Sequence, residues 1–373
     1  LATTDTARTD ASGGLIRTLI PARIDRLPWS RFHTRVIAAL GIAWILDGLE
    51  ITFASNMTTN LTDPATLHLS ARAAADIASV YLVGEVVGAL LFGRLSDRLG
   101  RKNLFVYTLG LYLLANGIAA ASWNLWWMDA FRFVAGMGIG GEYAAINSAI
   151  DEVIPAKHRG RADILVNGTY WAGSALAAVI GIFLLNPTHV GVDLGWRMSL
   201  LIGPALGVVV WFVRRTLPES PRWLITHGRA DEAERNIAEI ERWVRSNGHE
   251  LPDVDDDKAI EIDPHRARPS LWAVTKVLVA TYPKRSLLGA VLMITQSFLY
   301  NAIFFTYALV LNKFFGVSTG NTSYYFIAFA LGNLLGPIVL GPLFDTLGRR
   351  FMISGTYLVS GALLAVSAVL FER

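Results

Sequence analysis

The 373-residue chain contains no cysteine. A disulfide framework, a thiolate metal site and a cysteine nucleophile are therefore excluded. Histidine is scarce too: the seven present are scattered, with no metal-ligand spacing. Charged residues make up only 17% of the chain against a hydrophobic share of 53%, and mean hydropathy is +0.42. A water-soluble domain of this length carries more charge and shorter apolar runs. Net charge is only +3, and no nucleic-acid partner is expected. The glycine clusters have no preceding strand and no following G-K-[ST], so they are not a nucleotide loop. No nucleophile–base pair or metal cluster is visible, so neither an enzyme nor a cofactor is expected. Residues 1–14 are polar and lack the apolar core of a signal peptide. The chain opens on Leu1 rather than methionine, so an upstream start or an alternative start codon is expected.

What is present is a series of apolar runs of about 20 residues, the length a helix needs to cross a bilayer. Nine spans are expected, near 36–57, 77–95, 103–122, 126–149, 162–185, 197–216, 287–311, 323–343 and 352–371. Connections alternate in charge. One set holds Arg94, Arg98, Arg101 and Lys102, then Lys157, Arg159 and Arg161, then 217–286, then Arg349 and Arg350. The other set, 58–76, 123–125 and 186–196, is nearly free of lysine and arginine, Arg72 being the one present. The positive-inside rule puts the first set and the N-terminus in the cytoplasm. Trp123, Trp126 and Trp127 mark the opposite interface.

Four parts follow: a cytoplasmic N-terminal segment 1–35, a six-helix bundle 36–216, a cytoplasmic linker with helices 217–286, and a partial bundle of three helices 287–373. Within 15–35, apolar and basic residues interleave around Pro21 and Pro28. That pattern reads as an amphipathic stretch on the membrane surface, with a disordered tail as the alternative. In the linker, Ile237, Ile240, Trp243 and Val244 recur at helical spacing, and the acid run 253–257 reads as solvated loop.

The first span carries Asp47 and Glu50, three residues apart and so on one helix face. An acid at the centre of an inserted helix costs roughly 2.5–3.5 kcal/mol. That face must look into a cavity or toward a partner charge. By helical rise, Glu50 lies roughly 10 Å, Arg132 of span four roughly 9 Å and Glu85 of span two roughly 12 Å below the same membrane face. Charges at matching depth can pair, and arginine cannot discharge itself. Glu142 lies roughly 24 Å below that face, near the cytoplasmic side.

A repeat relates the two halves. Gly93-Arg-Leu-Ser-Asp97-Arg98-Leu-Gly100-Arg101-Lys102 follows span two, and Gly341-Pro-Leu-Phe-Asp345-Thr-Leu-Gly348-Arg349-Arg350 follows span eight. Internal repeats of this kind mark transporters built from duplicated bundles. The doubled signature resembles that of the major facilitator superfamily, in its sugar-porter and metabolite:proton symporter branch. So do Pro218-Glu219-Ser220-Pro221-Arg222-Trp223, the run Arg132 to Glu142 with its spaced glycines, and Glu152 with Arg159-Gly160-Arg161. The resemblance covers about residues 33–371. It implies an all-α polytopic membrane protein of the major facilitator fold, here with about nine of the family's twelve spans.

The resemblance also implies roles. Glu50 couples protons through Arg132, with Asp47 and Glu85 as further acids; a permanent ion pair is the alternative. Gly93, Asp97, Arg98, Gly100, Arg101, Glu142, Glu152, Arg159, Arg161, Glu219, Arg222, Asp345, Gly348 and Arg349 form a cytoplasmic gate. In the family, the aspartate at the Asp97 position holds the outward-open state from the eleventh helix's N-terminus, and that helix is not in this sequence. Gln296, Tyr300, Asn301 and Tyr307 in span seven are expected to line the substrate path, with Asn167, Tyr170 and Trp171 in span five. The sugar-binding pattern is incomplete: Gln296 and Asn301 are kept, whereas the first glutamine, the glycine and the tyrosine pair are not, and Asn167 stands where sugar porters carry glutamine. Asp47-Gly48-Leu49-Glu50 and Gly140-Gly141-Glu142 instead resemble motifs of organic-acid symporters.

The expected function is proton-coupled symport of a small organic acid or polar metabolite by alternating access. The expected setting is a monomer in the bacterial inner membrane, whose partners are protons, the small-molecule substrate and the bilayer. The alternatives are a sugar or polyol porter, a proton-driven exporter, or a truncated, non-transporting membrane protein or fragment.

Overall fold

The computed structural model describes residues 7–9, 16–214, 219–262 and 270–371. Nine long helices lie over the nine predicted spans: α2 (Arg31–Asn56), α3 (Ala71–Leu99), α4 (Arg101–Ala119), α5 (Leu125–Val153), α6 (Ala156–Leu184), α7 (Val192–Arg214), α11 (Pro283–Phe315), α12 (Thr322–Thr346) and α13 (Arg349–Phe371). Seven of them are by themselves long and apolar enough to cross a membrane. The other two, α4 and α5, carry charge: α4 opens on Arg101-Lys102, and α5 holds Asp129, Arg132 and Glu142. Side-chain caps fix several starts. Ser70 Oγ accepts the Ala73 N–H, and Asn124 Oδ1 accepts the Trp127 N–H, each satisfying an orphan donor of the first turn.

Helix α2 lies at the centre, packed on α6 and α7 and touching α11, α9 and α5. On the other side α5 packs against α3 and α4. Between helices in lipid there is no hydrophobic drive, so close van der Waals contact must supply the attraction. Small residues make it possible. On α3, a Cβ at Gly84 or Gly88 would run into the carbonyls of Phe133 or Met137. On α5, one at Gly136 or Gly140 would run into those of Tyr81 or Glu85. Backbone cannot retreat as a flexible side chain can. Gly140→Leu is therefore expected to cost about 1–3 kcal/mol, read as a lower melting temperature in detergent; melting at the parental temperature would contradict this packing account.

At the end of the bundle that carries the basic connections sits a smaller unit. It comprises β1 (Ala7–Thr9), β2 (Ile16–Thr18), α1 (Ile20–Asp25), α8 (Pro221–Thr226), α9 (Ala230–Ser246) and β3 (Ile260–Ile262). Strands β1, β2 and β3 form an antiparallel sheet with Arg17 opposite Glu261, an opposite-charge cross-strand pair. The sheet was not expected from sequence. It also corrects the reading of 15–35 as a membrane-surface stretch. Ile20, Ile24 and Leu27 are buried against Leu224, Ile225, Ala233, Ile237, Ile240 and Val244. The apolar face made by Ile20, Ile24 and Leu27 is covered by α8 and α9. Between α9 and α11 runs the short apolar helix α10 (Leu271–Thr281), with Trp272 exposed.

Charge locks α1 onto α9. Arg23 donates to Glu241 with Nε at 2.9 Å and Nη2 at 2.8 Å, and also pairs with Glu234. Arg26 Nη2 reaches Glu241 Oε1 at 2.5 Å. Burial alone would raise the Glu241 carboxyl, but hydrogen bonds from Arg23 and Arg26 outweigh it and hold the group below its ordinary value. Burial likewise opposes the Arg23 charge, and the hydrogen bonds to Glu241 and Glu234 reverse that, raising it. A depressed acid contributes stability that is complete above its unfolded value, about 4.3 for glutamate, and is lost as pH falls through the folded one. The raised Arg23 contributes throughout the acid and neutral range. Acidification below about pH 4 is therefore expected to speed amide exchange in residues 20–27, after correction for intrinsic rates. Glu241→Gln should exchange fast at every pH; parental protection in that variant would contradict the lock.

Candidate functional site

Asp47 and Glu50 both point into protein: Asp47 is fully buried and Glu50 is 4% exposed. The glycine at position 203 on α7 makes room for Glu50, since a Cβ there would overlap its carboxylate. Arg132 on α5 is 2% exposed. Depth matching allowed Glu50, Glu85 and Arg132 to pair. Between Glu50 and Arg132 the structure inserts a third residue. Asn116 on α4 donates from Nδ2 to Glu50 Oε2, and its Oδ1 accepts from Arg132 Nη1 at 2.8 Å. Carboxylate and guanidinium thus face each other across an amide. The Arg132 guanidinium also lies over the Tyr81 ring, 4.3 Å from its centroid, a favourable cation–π contact. Glu85 is half-buried on α3 and outside this chain of bonds.

Beside these charges runs a continuous band of aromatic side chains. Trp44 of α2 stacks on Tyr143 of α5 at 4.5 Å and meets Tyr170 of α6 edge-on at 6.3 Å. Trp171 meets Tyr300 and Phe304 of α11 at 5.9 and 6.4 Å and Phe329 of α12 at 5.9 Å. Tyr307 packs on Phe326 and Phe329. The band joins the two halves, and Ser55 of α2, donating to the Phe304 carbonyl at 2.7 Å, reinforces the join. Of the predicted lining residues, Tyr170, Trp171, Tyr300 and Tyr307 belong to this band. Three do not. Gln296 is exposed, Asn301 bonds back to the Ser297 carbonyl at 2.8 Å, and Asn167 bonds back to Asp163 at 2.9 Å. A polar side chain in a helix has its own preceding turn within reach, which helical spacing does not reveal.

Several buried donors next to this band lack a hydrogen-bond partner among the described residues: Trp44 Nε1, the Tyr81 hydroxyl and Arg132 Nε. Buried polar groups are normally satisfied. Two of these donors thus lie near the arginine that supplies the third, beside a row of rings. Sequence reasoning missed Asn116, Tyr81, Trp44 and Tyr143. A buried amide or aromatic in an apolar span is common, and only depth relative to Arg132 would have flagged Asn116.

At the basic end, acids from the smaller unit cap helices of the bundle. Glu219 accepts the Arg101 N–H at 3.0 Å and the Lys102 N–H at 3.3 Å, where the positive end of the α4 dipole favours an anion. The chain enters α4 through Gly100 at φ +85°, and Gly348 repeats that turn at φ +90° in the second half. Asp25 does the same for α6, accepting the Ala156 N–H at 2.9 Å, and lies 3.6 Å from Arg159. Arg101 pairs with Glu152 at 2.5 Å. Arg101, Glu152 and Glu219 line a cavity of about 50 Å³ with Val36, Leu40 and Phe105. Glu142 is fully buried, Arg98 is exposed, and a Cβ at Gly93 would meet open space. The side chains of Asp97, Arg161, Arg222, Asp345 and Arg349 lie outside the described residues, as does Pro218.

Comparison with known proteins bears on this arrangement. A family model described as "Sugar (and other) transporter" matches residues 34–372. The chain is 31% identical to the niacin transporter NiaP of Acinetobacter baylyi over 90% of this chain and 72% of that protein. It is 29% identical to the putative metabolite transport protein YyaJ of Bacillus subtilis, over 94% and 74%. The fold superposes on the partially occluded inward-open xylose transporter XylE of E. coli with a TM-score of 0.66 at 18% identity, covering 85% of this chain and 74% of that one. Gly203→Val is expected to drive the Glu50 carboxylate from its place and to lower the transport rate at least about tenfold without loss of folded protein on size exclusion; parental transport would show that the contact is slack.

Proposed function

As the chain belongs to the sugar (and other) transporter family of the major facilitator superfamily, a family of multi-pass membrane transporters and not of enzymes, we propose that it carries out proton-coupled symport of a small aromatic or similarly planar organic acid. The observation that carries this reading is the buried Glu50–Asn116–Arg132 chain of bonds beside a band of rings and unsatisfied donors. The similarity to a niacin transporter supports it, nicotinate being a planar aromatic anion.

The coupling follows from charge. With Glu50 ionised, the charge of Arg132 is answered through Asn116. Protonation of Glu50 removes that anion, and a buried guanidinium left alone costs several kcal/mol. A substrate carboxylate restores the balance. Proton and anion therefore bind together and leave together, and the charge-compensated halves rock about the aromatic band. In this reading, helices over 36–216 and 287–373 form the rocking parts. The basic end faces the cytoplasm with the N-terminus, and Arg101, Glu152, Glu219, Asp25 and Arg159 act as the gate on that side. The setting is the bacterial inner membrane and the unit a monomer.

The test is uptake of labelled nicotinate and labelled xylose into proteoliposomes with and without an acid-outside gradient. Nicotinate accumulation is expected to rise at least about tenfold with one unit of gradient, and the pH dependence is expected to vanish in Glu50→Gln. Uptake of xylose alone, or a Glu50→Gln variant with the parental pH dependence, would overturn the proposal.

A further inference from the structure

Asn116 has a chemistry that neither of its neighbours can replace. Arginine offers only donors, so the amide oxygen must face Arg132, and the amide nitrogen must then face Glu50. The observed bonds have that polarity: Arg132 Nη1 donates to Oδ1, and Nδ2 donates to Glu50 Oε2. The side chain is 2% exposed and, among the described residues, these two bonds hold it between the charges. Its orientation is thus set by whether Glu50 accepts or donates. Two atoms at the ends of the chain are without hydrogen-bond partners among the described residues, Glu50 Oε1 and Arg132 Nε. Oε1 is the oxygen against Gly203, so the proton that engages the amide is taken on Oε2, the oxygen facing Asn116; Nε is a donor open to an anion.

We propose that Asn116 is a proton-triggered relay: protonation of Glu50 turns its amide end for end, and the turned amide releases Arg132 toward an anionic substrate. This rests on the reading of Glu50 as the proton site. A protonated Glu50 carries an O–H, whose best acceptor within reach is Oδ1. Rotating the amide by half a turn gives that bond and swings Nδ2 toward Arg132. Donor then faces donor, and Arg132 loses its charge-assisted bond. Deprotonation reverses each step, with the proton leaving Glu50 and Oδ1 returning to Arg132. The relay requires a neutral side chain whose donor and acceptor are separate atoms that exchange places on a half-turn, as the amides of asparagine and glutamine provide.

Other ionisable groups bear on the same carboxylate. From α5, Arg132 and Glu142 act on Glu50 electrostatically, and Tyr81 of α3 feels Arg132, Glu50, Glu85 and Asp47 of α2. At its contact with Glu50, α7 presents Gly203. None of these is hydrogen-bonded to both ends of the pair. Asn116 is therefore a positioning residue, acting on the substrate through Arg132.

The test needs no substrate. In pH-difference infrared spectra of the reconstituted full protein, protonation gives a carboxylic C=O band, and the Asn116 amide C=O shifts at the same midpoint. Glu50→Gln should remove the carboxylic band. If that band persists, Glu50 is not the proton site and the underlying reading fails. If it vanishes, the relay is decided by Asn116. Asn116→Leu removes the donor to the carboxylate and should move the band's midpoint up by at least about one pH unit, with loss of the coincident amide signal. Asn116→Asp, nearly isosteric, places a second carboxylate there and should move it up further; it serves where the leucine variant does not fold. An unshifted midpoint in the variant that folds, or a parental amide signal that does not move with the carboxylic band, would overturn the relay while leaving the proton site intact.

Discussion

Everything in this protein depends on placing charge where no water can solvate it. Arg132 cannot shed its proton, and it is buried in the bundle at full side-chain length. The structure answers it with a carboxylate held one amide away, a ring beneath it and helices close enough to exclude lipid. Removing one partner of such a pair is strongly destabilising, which is why the carboxylate, the amide and the ring are found together around Arg132.

The close approach of the helices serves the same constraint. Glycines on α3 and α5 let carbonyls of one helix sit where side chains of the other would be, and Gly203 leaves space for the Glu50 carboxylate. The rings of Trp44, Tyr143, Tyr170, Trp171, Tyr300 and Phe304 then occupy the seam between halves. Aromatic side chains pack well in offset and edge contacts, and those are the contacts that join α2, α5 and α6 to α11 and α12. At the basic end the acids Glu219 and Asp25 dock on helix N-termini. Among these residues Asp25 and Arg159 are partly exposed, and such pairs can be exchanged for water at small cost.

Much of the fold was legible in the chain. Apolar runs of membrane length, the alternation of basic connections and the doubled G-x-x-x-D-x-L-G-R-[KR] signature led to the nine long helices. The acids of the first span stood out because charge in a span is costly. The N-terminal segment was misread. Its alternation of apolar and basic residues suits a membrane surface as well as a protein one, and only the apolar face of α9 decided the matter. The polar residues of span seven were also only partly placed: Tyr300 and Tyr307 reach the seam, whereas Asn301 bonds within its own helix.

The sequence by itself determined which residues must be buried, which helix faces must meet a partner, and which end of each span is basic, because those follow from transfer energies that act residue by residue. The tertiary structure alone decided that Asn116 stands between Glu50 and Arg132, that Gly203 makes room for the carboxylate, and that Arg23 and Arg26 converge on Glu241. Each of those depends on the rotation of one helix about its axis relative to another. Periodicity says that a face is polar, and only packing says what it meets.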